Sequence, residues 1–280
     1  AYTCALNDQG GVQCWGGNGY QINNIPQFTN QPTRIFSGPG NICALHEGRY
    51  TCWGANDFGQ SAIWYNVKEY AVSANDVCAI NDDKVMCFGY SSIMPFEVSM
   101  PQDIIMPQTI GAGRRHFCTW ATNGMHCWGE DSPALDAPPY SLHNVTVIDG
   151  AETATCVIDN GQVSCWGDNA NGLLNVNIPM MGPYHDLDIS PQQGCVIREL
   201  ASNQNEVLCW GSSFLPAMFS LVESKIAVGS AESNSGSSDV YVCMYDDNMG
   251  YRCNGWSGKG DTNPPYQLTD IAQLYGGYGR

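Results

Sequence analysis

The chain has 280 residues, 11 basic and 27 acidic, which gives a formal net charge of −16 and a sequence pI near 4.4. Charged residues make up 14% and hydrophobic residues 43%, the balance of a chain that folds rather than of a disordered acidic tail. A surface this negative repels phosphate backbones and anionic bilayers, and no apolar run approaches the roughly 20 residues of a membrane-spanning helix, so neither nucleic-acid binding nor membrane insertion is expected.

The chain opens at Ala1 with no visible secretory signal, as a mature segment or a piece of a larger parent chain would. From there, fourteen cysteines fall into seven successive pairs: Cys4 and Cys14, Cys43 and Cys52, Cys78 and Cys87, Cys118 and Cys127, Cys156 and Cys165, Cys195 and Cys209, Cys243 and Cys253. First members lie 35 to 48 residues apart, a period near forty of the kind found in propellers, solenoids and arrays. Seven such units use the whole chain, so residues 1–280 read as a single domain.

Between the pairs the sequence spells hairpins. The midpoint of Cys156 to Cys165 falls between Asn160 and Gly161, a strong two-residue turn signal. Glu47-Gly48 and Asp82-Asp83 centre the second and third pairs in the same way. In the first pair, Asp8-Gln9-Gly10 reads as a three-residue loop with a bulge. Cysteines directly opposed across a hairpin are close enough to bridge, so one disulfide per repeat is expected. None of the pairs has the Cys-x(2–4)-Cys spacing of a zinc hook, and the five histidines follow no period, so no metal is expected there. Seven disulfides imply an oxidising compartment, hence a secreted or extracellular protein.

Trp-Gly follows the second cysteine in five repeats, at Trp15, Trp53, Trp128, Trp166 and Trp210, with Phe88 substituting in the third and Asn254 in the seventh. Adjacent strand residues face opposite ways, so a large residue beside each cysteine requires both faces to be covered, as when blades stack. The repeated tryptophan therefore reads as an inter-blade packing residue. Segments such as Ile35-Phe36-Ser37-Gly38 precede each first cysteine, and residues 268–277 read like the segment that should precede Cys4. Counted across the two ends, the distance from Cys253 to Cys4 is 31 residues, within the internal range of 26 to 34. The expected fold is thus all-β: a closed seven-bladed β-propeller whose first and last strands share a blade.

The pattern Cys-Ala-Leu…Gly-x-Val-x-Cys-Trp-Gly-x-Asn, clearest in Cys4–Gln21, Cys43–Gln60 and Cys156–Gly172, resembles the regulator of chromosome condensation repeat along the whole chain. The doubled cysteine is similar to the disulfide-containing extracellular branch, including Crinkly-type plant receptor ectodomains and bacterial secreted repeats. That resemblance implies a propeller that binds partners. The nuclear exchange factor's binding to chromatin and a small GTPase does not suit an acidic, cross-linked chain, and no match to its GTPase-facing wedge is visible.

Catalytic patterns are not found. Every cysteine has a partner, no serine sits in a Gly-x-Ser-x-Gly elbow, and Ser257-Gly258-Lys259-Gly260 lacks the upstream glycine of a phosphate loop. Asp82-Asp83, Asp159-Asn160 and Asp246-Asp247-Asn248 sit at hairpin tips, where turn geometry favours them. No cofactor is expected, although acidic loops leave weak calcium binding open. Three places depart from the repeat and are candidate binding loops: Arg114-Arg115-His116, the enlarged sixth hairpin from Arg198 to Glu206, and the polar entry loop from Ser230 to Asp239. Asn144-Val145-Thr146 is a glycosylation sequon, which places Asn144 on a solvent-facing loop. The Pro-Pro-Tyr runs at Pro138 and Pro264 read as stiff connectors.

The functional expectation is a non-enzymatic extracellular module that binds protein partners through its loops, or assembles with copies of itself. The alternative is a multivalent secreted lectin, for which Tyr20, Phe58 and Tyr65 are the available stacking aromatics.

Overall fold

The computed structural model of the chain describes residues 2–38, 40–56, 64–73, 76–89, 100–129, 138–139, 141–169, 171–179, 182–200, 204–211, 218–220, 224–232, 238–246, 250–255 and 269–277. Among the described residues, twenty-three strands form seven antiparallel sheets. Blade I begins with β1 (Tyr2–Asn7) and β2 (Val12–Gly16). Blade II is β3 (Arg34–Ser37), β4 (Asn41–His46), β5 (Arg49–Gly54) and β6 (Trp64–Tyr65). Blade III is β7 (Val67–Val72), β8 (Asp76–Asn81) and β9 (Lys84–Gly89). Blade IV is β10 (Pro107–Ala112), β11 (His116–Ala121) and β12 (Gly124–Gly129). Blade V is β13 (Val145–Gly150), β14 (Ala154–Asp159) and β15 (Gln162–Gly167). Blade VI is β16 (Tyr184–Ile189), β17 (Gln193–Leu200), β18 (Gln204–Gly211) and β19 (Met218–Ser220). Blade VII is β20 (Ser224–Glu232), β21 (Ser238–Asp246) and β22 (Gly250–Gly255). The last strand, β23 (Ile271–Gly277), returns to pair with β1 and completes blade I.

All seven disulfides form between directly opposed residues of the second and third strands, as the spacing predicts. The register pairs Cys156 with Cys165 and Asp159 with Gln162, which leaves Asn160-Gly161 as the turn. Both turn residues have positive φ, the requirement of a tight hairpin that follows strand twist.

The inner strands β3, β7, β10, β13, β16, β20 and β23 each contact the next, and β23 contacts β3, which closes the cycle. Each of seven apolar clusters joins two successive blades. The closing one packs Trp15 and Leu274 of blade I on Tyr241 and Tyr245 of blade VII. Two polar ties reinforce it: the Tyr241 hydroxyl donates to the Tyr2 carbonyl at 2.7 Å, and the Asp270 amide donates to the Tyr245 hydroxyl at 2.7 Å.

The repeated tryptophans are buried between blades. Trp53 and Trp210 also donate from Nε1 to the carbonyls of Ile22 and Leu173, at 2.8 and 2.7 Å, and so pin the connector leaving the preceding blade. The asparagine of the repeat shapes that connector, since Asn18 and Asn169 accept the amides of Asn23 and Leu174 through Oδ1, each at 2.9 Å. The glycine two residues after the second cysteine has positive φ in all seven repeats, from Gly16 to Gly255. At Gly54 a Cβ would also stand 2.5 Å from the Gly40 carbonyl oxygen. Phe88 does not replace the missing tryptophan: it is 43% exposed, and the cluster between blades II and III is filled by Tyr50 stacked on Tyr70, ring centroids 5.1 Å apart.

Candidate functional site

The inner strands surround an axial cavity of ≈ 490 Å³. The inner strand of a blade presents an unpaired edge of amides and carbonyls to this channel, and buried backbone groups need partners. Side chains of the preceding blade supply them. The Asp149 carboxylate accepts the Ile189 amide at 2.7 Å, and that of Asp188 accepts the Val228 amide at 2.8 Å. Gln273 accepts the Ile35 amide at 2.8 Å. Glu69 accepts the Thr109 hydroxyl at 3.1 Å and the Ile110 amide, and Asp186 accepts the Ile226 amide. In every case the amide bound is that of the residue just after the acceptor's own counterpart in the next blade. The acids of the channel are therefore first of all fasteners between blades.

Their electrostatics follow from that position. Asp149 and Asp188 lie opposite Cys156 and Cys195 in equivalent registers, and Asp149 also accepts the Gly150 amide through Oδ1 at 2.9 Å. They face the channel rather than bulk water. Desolvation is the main force on both: Asp149 is pushed up to about 7, and Asp188 is raised well above its ordinary value, with Asp149 adding to the rise. Burial also raises Asp186, against the favourable field of Lys225, and pushes Glu69 up to about 7. Sequence reading missed this set. The signal available was positional: Asp149 and Asp188 each stand seven residues before the first cysteine of their repeat.

The hairpins joining first to second strands surround one mouth of the channel, where Gly113, Arg114, Glu152, Ser190 and Pro191 line it. Arg114 and Arg115 form the two-residue tip between β10 and β11. Arg114 pairs with Glu152 of the neighbouring blade, and its amide donates to the Ala151 carbonyl at 3.1 Å. His116 is buried, with Nε2 2.8 Å from the Thr155 hydroxyl, and desolvation lowers it to about 4. Of the three residues, Arg115 alone is exposed.

The other two departures lie on opposite faces. The β20–β21 hairpin shares the mouth with Arg115. It runs four ladder pairs beyond the level where blades II to VI end, from Gly229↔Tyr241 to Glu232↔Ser238, a projection of roughly 13 Å at strand rise. Asp239 sits in that extension opposite Ala231, while the tip, 233–237, lies outside the described residues. The sixth-blade enlargement projects from the other face and is mostly strand. Arg198 and Glu206 are cross-strand partners joined as an ion pair, with side chains 17% and 12% exposed, so each largely satisfies the other. Asn144 is exposed at the start of β13. Tyr20 and Tyr65 are 38% and 61% exposed. Phe58, residues 256–260 and Pro264–Tyr266 lie outside the described residues.

Among the described residues no group of three or more His, Cys, Asp or Glu is arranged to hold a metal ion. Nor is any helix there long and apolar enough to cross a membrane.

No family model matches the chain. Solved structures do. The Crinkly WD40 ectodomain of the receptor kinase ACR4 from Arabidopsis thaliana superposes with TM-score 0.60 and 22% identity, covering 79% of each chain. The entire ectodomain of the receptor kinase CR4 from Physcomitrella patens gives TM-score 0.69 and 18% identity over 95% of this chain and 71% of that one. Prp20p from Saccharomyces cerevisiae, described with its binding to Gsp1p and histones, gives TM-score 0.62 and 12% identity over 99% and 89%. The chain shares their propeller-repeat fold.

Proposed function

We propose that this chain is a non-enzymatic extracellular interaction module, a disulfide-stabilised propeller that engages a protein partner through one mouth of its channel. The observation carrying the reading is the projecting β20–β21 hairpin, the longest departure from an otherwise regular ring of turns, set on the same face as the exposed Arg115. The repeat's own residues are occupied internally: cysteines in disulfides, tryptophans between blades, channel acids on backbone amides. Receptor-kinase ectodomains of the same fold support an extracellular setting, as does the oxidising compartment that seven disulfides need. Asn144, exposed beside that channel strand, is the proposed glycosylation site.

The test replaces residues 230–240 with the two-residue turn of blade V and measures binding of the labelled protein to cells of the source tissue. Loss of binding is expected, with retention when the blade VI extension is shortened instead. The opposite pattern assigns the partner to the other face. A lectin would bind a glycan array, and the exposed Tyr65 is the residue to change there. Light scattering with calcium and with chelator tests both weak calcium binding by acidic loops and self-assembly.

A further inference from the structure

We infer that the axial cavity binds a small zwitterion of dipeptide size, its carboxylate on an arc of donors formed by Lys225, Gln273 and Arg34 and its ammonium on Asp149 and Asp188. The repeat builds the arc. Lys225, Gln273 and Arg34 hold one register in three successive blades, each opposite the residue two beyond a first cysteine, and all three line the cavity. Among the described residues, the side chains of Lys225 and Arg34 make no ion pair and no hydrogen bond. Arg34 rests over the Phe36 ring, 5.0 Å from its centroid, which holds the guanidinium in place and leaves its N–H groups to donate. Gln273 uses its Oε1 on the Ile35 amide, so its NH2 group is left to donate as well. Three donors side by side, two of them cationic, suit a carboxylate.

The acid layer lies two residues further along the inner strands, towards the mouth that Arg114 and Glu152 line. Asp149 and Asp188 stand there in adjacent blades, fixed by the amides of Gly150, Ile189 and Val228. A carboxylate offers about four lone-pair positions, so both can still accept. Among the described residues neither is in an ion pair. The fields of Lys225 and Arg34 favour Asp186 and Glu69 instead, so the unbalanced negative charge of the channel lies at Asp149 and Asp188. Burial raises both carboxyls, and an ammonium group is the partner that offsets it. In the same layer Phe36 and Tyr275 form an aromatic wall, ring centroids 6.3 Å apart, while Ala71, Gly111 and Ala227 are small and leave the volume open.

The spacing of the two layers selects the ligand. Two residues along a strand span roughly 6.6 Å, whereas the ammonium and carboxylate of an α-amino acid share one carbon. An extended dipeptide reaches about 7 Å, enough to touch both layers. At ≈ 490 Å³ the cavity has the size of a small-molecule site, with room for the side chains of such a ligand.

The experiment titrates the intact protein, disulfides oxidised, with the dipeptide alanylalanine and reads calorimetric heat and Tm. The expected result is one dipeptide per chain and a Tm that rises with its concentration. Two capped probes separate the ends: N-acetyl-alanylalanine lacks the ammonium, and alanylalanine amide lacks the carboxylate. Each should bind at least about tenfold more weakly, the effect of losing a charged hydrogen bond. Lys225→Met should weaken the free dipeptide and leave the amide-capped one unchanged. Asp188→Asn keeps an acceptor for the Val228 amide, and it should weaken the free dipeptide and leave the acetylated one unchanged. No heat and no Tm rise with millimolar alanylalanine overturns the inference. So does equal binding of free and capped probes, or unaltered binding in both variants. If Asp188→Asn fails to fold, the capped probes and Lys225→Met, whose side chain holds no backbone amide, decide the matter.

Discussion

Replacing Gly54 with alanine tests whether the Trp-Gly of the repeat is a packing device. Gly54 has φ +104°, a conformation an L-residue adopts at a cost of about 1–3 kcal/mol. The added methyl would lie 2.5 Å from the Gly40 carbonyl oxygen and 2.9 Å from the Asn41 Cα, both backbone atoms held in place by ladder and turn hydrogen bonds. Forcing them apart adds the roughly 1–3 kcal/mol of an overpacked core, so the expected loss is about 2–6 kcal/mol. Gly48, in the turn at the other end of β5, is the control. Its φ is +70° but a methyl added there would meet no atom within 4 Å, so Gly48→Ala should cost only the roughly 1–2 kcal/mol of the backbone conformation. The assay is guanidinium unfolding under non-reducing conditions, followed by tryptophan fluorescence. Equal midpoint shifts for the two variants would refute the steric argument.

Trp53→Phe keeps most of the apolar ring but leaves the buried Ile22 carbonyl without its donor, for an expected loss of about 1–3 kcal/mol by the same assay. Removing the disulfide by changing Cys156 and Cys165 together to alanine should cost about 2–3 kcal/mol, since the closed loop is short, and reduced-state unfolding should then show no further loss at that blade. His116 has a folded pKa near 4 against an ordinary 6.5, so its stabilising neutral form is present above 6.5 and is lost as pH falls towards 4. The unsubstituted protein should therefore lose Tm over that acid range, and His116→Gln should lose less.

How much of this is legible in the sequence depends on whether a feature repeats. The cysteines do, and their offsets fix hairpins, register and blade count, because a bridge across antiparallel strands leaves little freedom in spacing. Phe88 shows the limit: its place in the repeat says tryptophan-like, yet the junction is filled by Tyr50 and Tyr70 from elsewhere in the repeat, and the phenylalanine stays outside. The sixth hairpin shows another. Nothing in Arg198 to Glu206 signals a loop rather than a longer ladder, and cross-strand pairing of opposite charges decides for the ladder. The channel acids were hidden for a different reason. An isolated aspartate on a short strand looks like a turn residue until the ring brings its neighbours' edge amides within reach.

Every disulfide here joins a cysteine to the next one along the chain, 9 to 14 residues away, and none spans two blades. Fourteen thiols left to choose freely would face on the order of 10⁵ pairings, by the same counting that gives 105 for eight. As a chain emerges from its N-terminus into an oxidising compartment, that choice hardly arises. Each cysteine arrives just after its partner, before the thiols of the next repeat exist. Covalent assembly can keep pace with synthesis, one hairpin at a time, with little for an isomerase to correct. What must wait until residues 271–277 have emerged is the docking of β23 onto β1, which no covalent bond enforces.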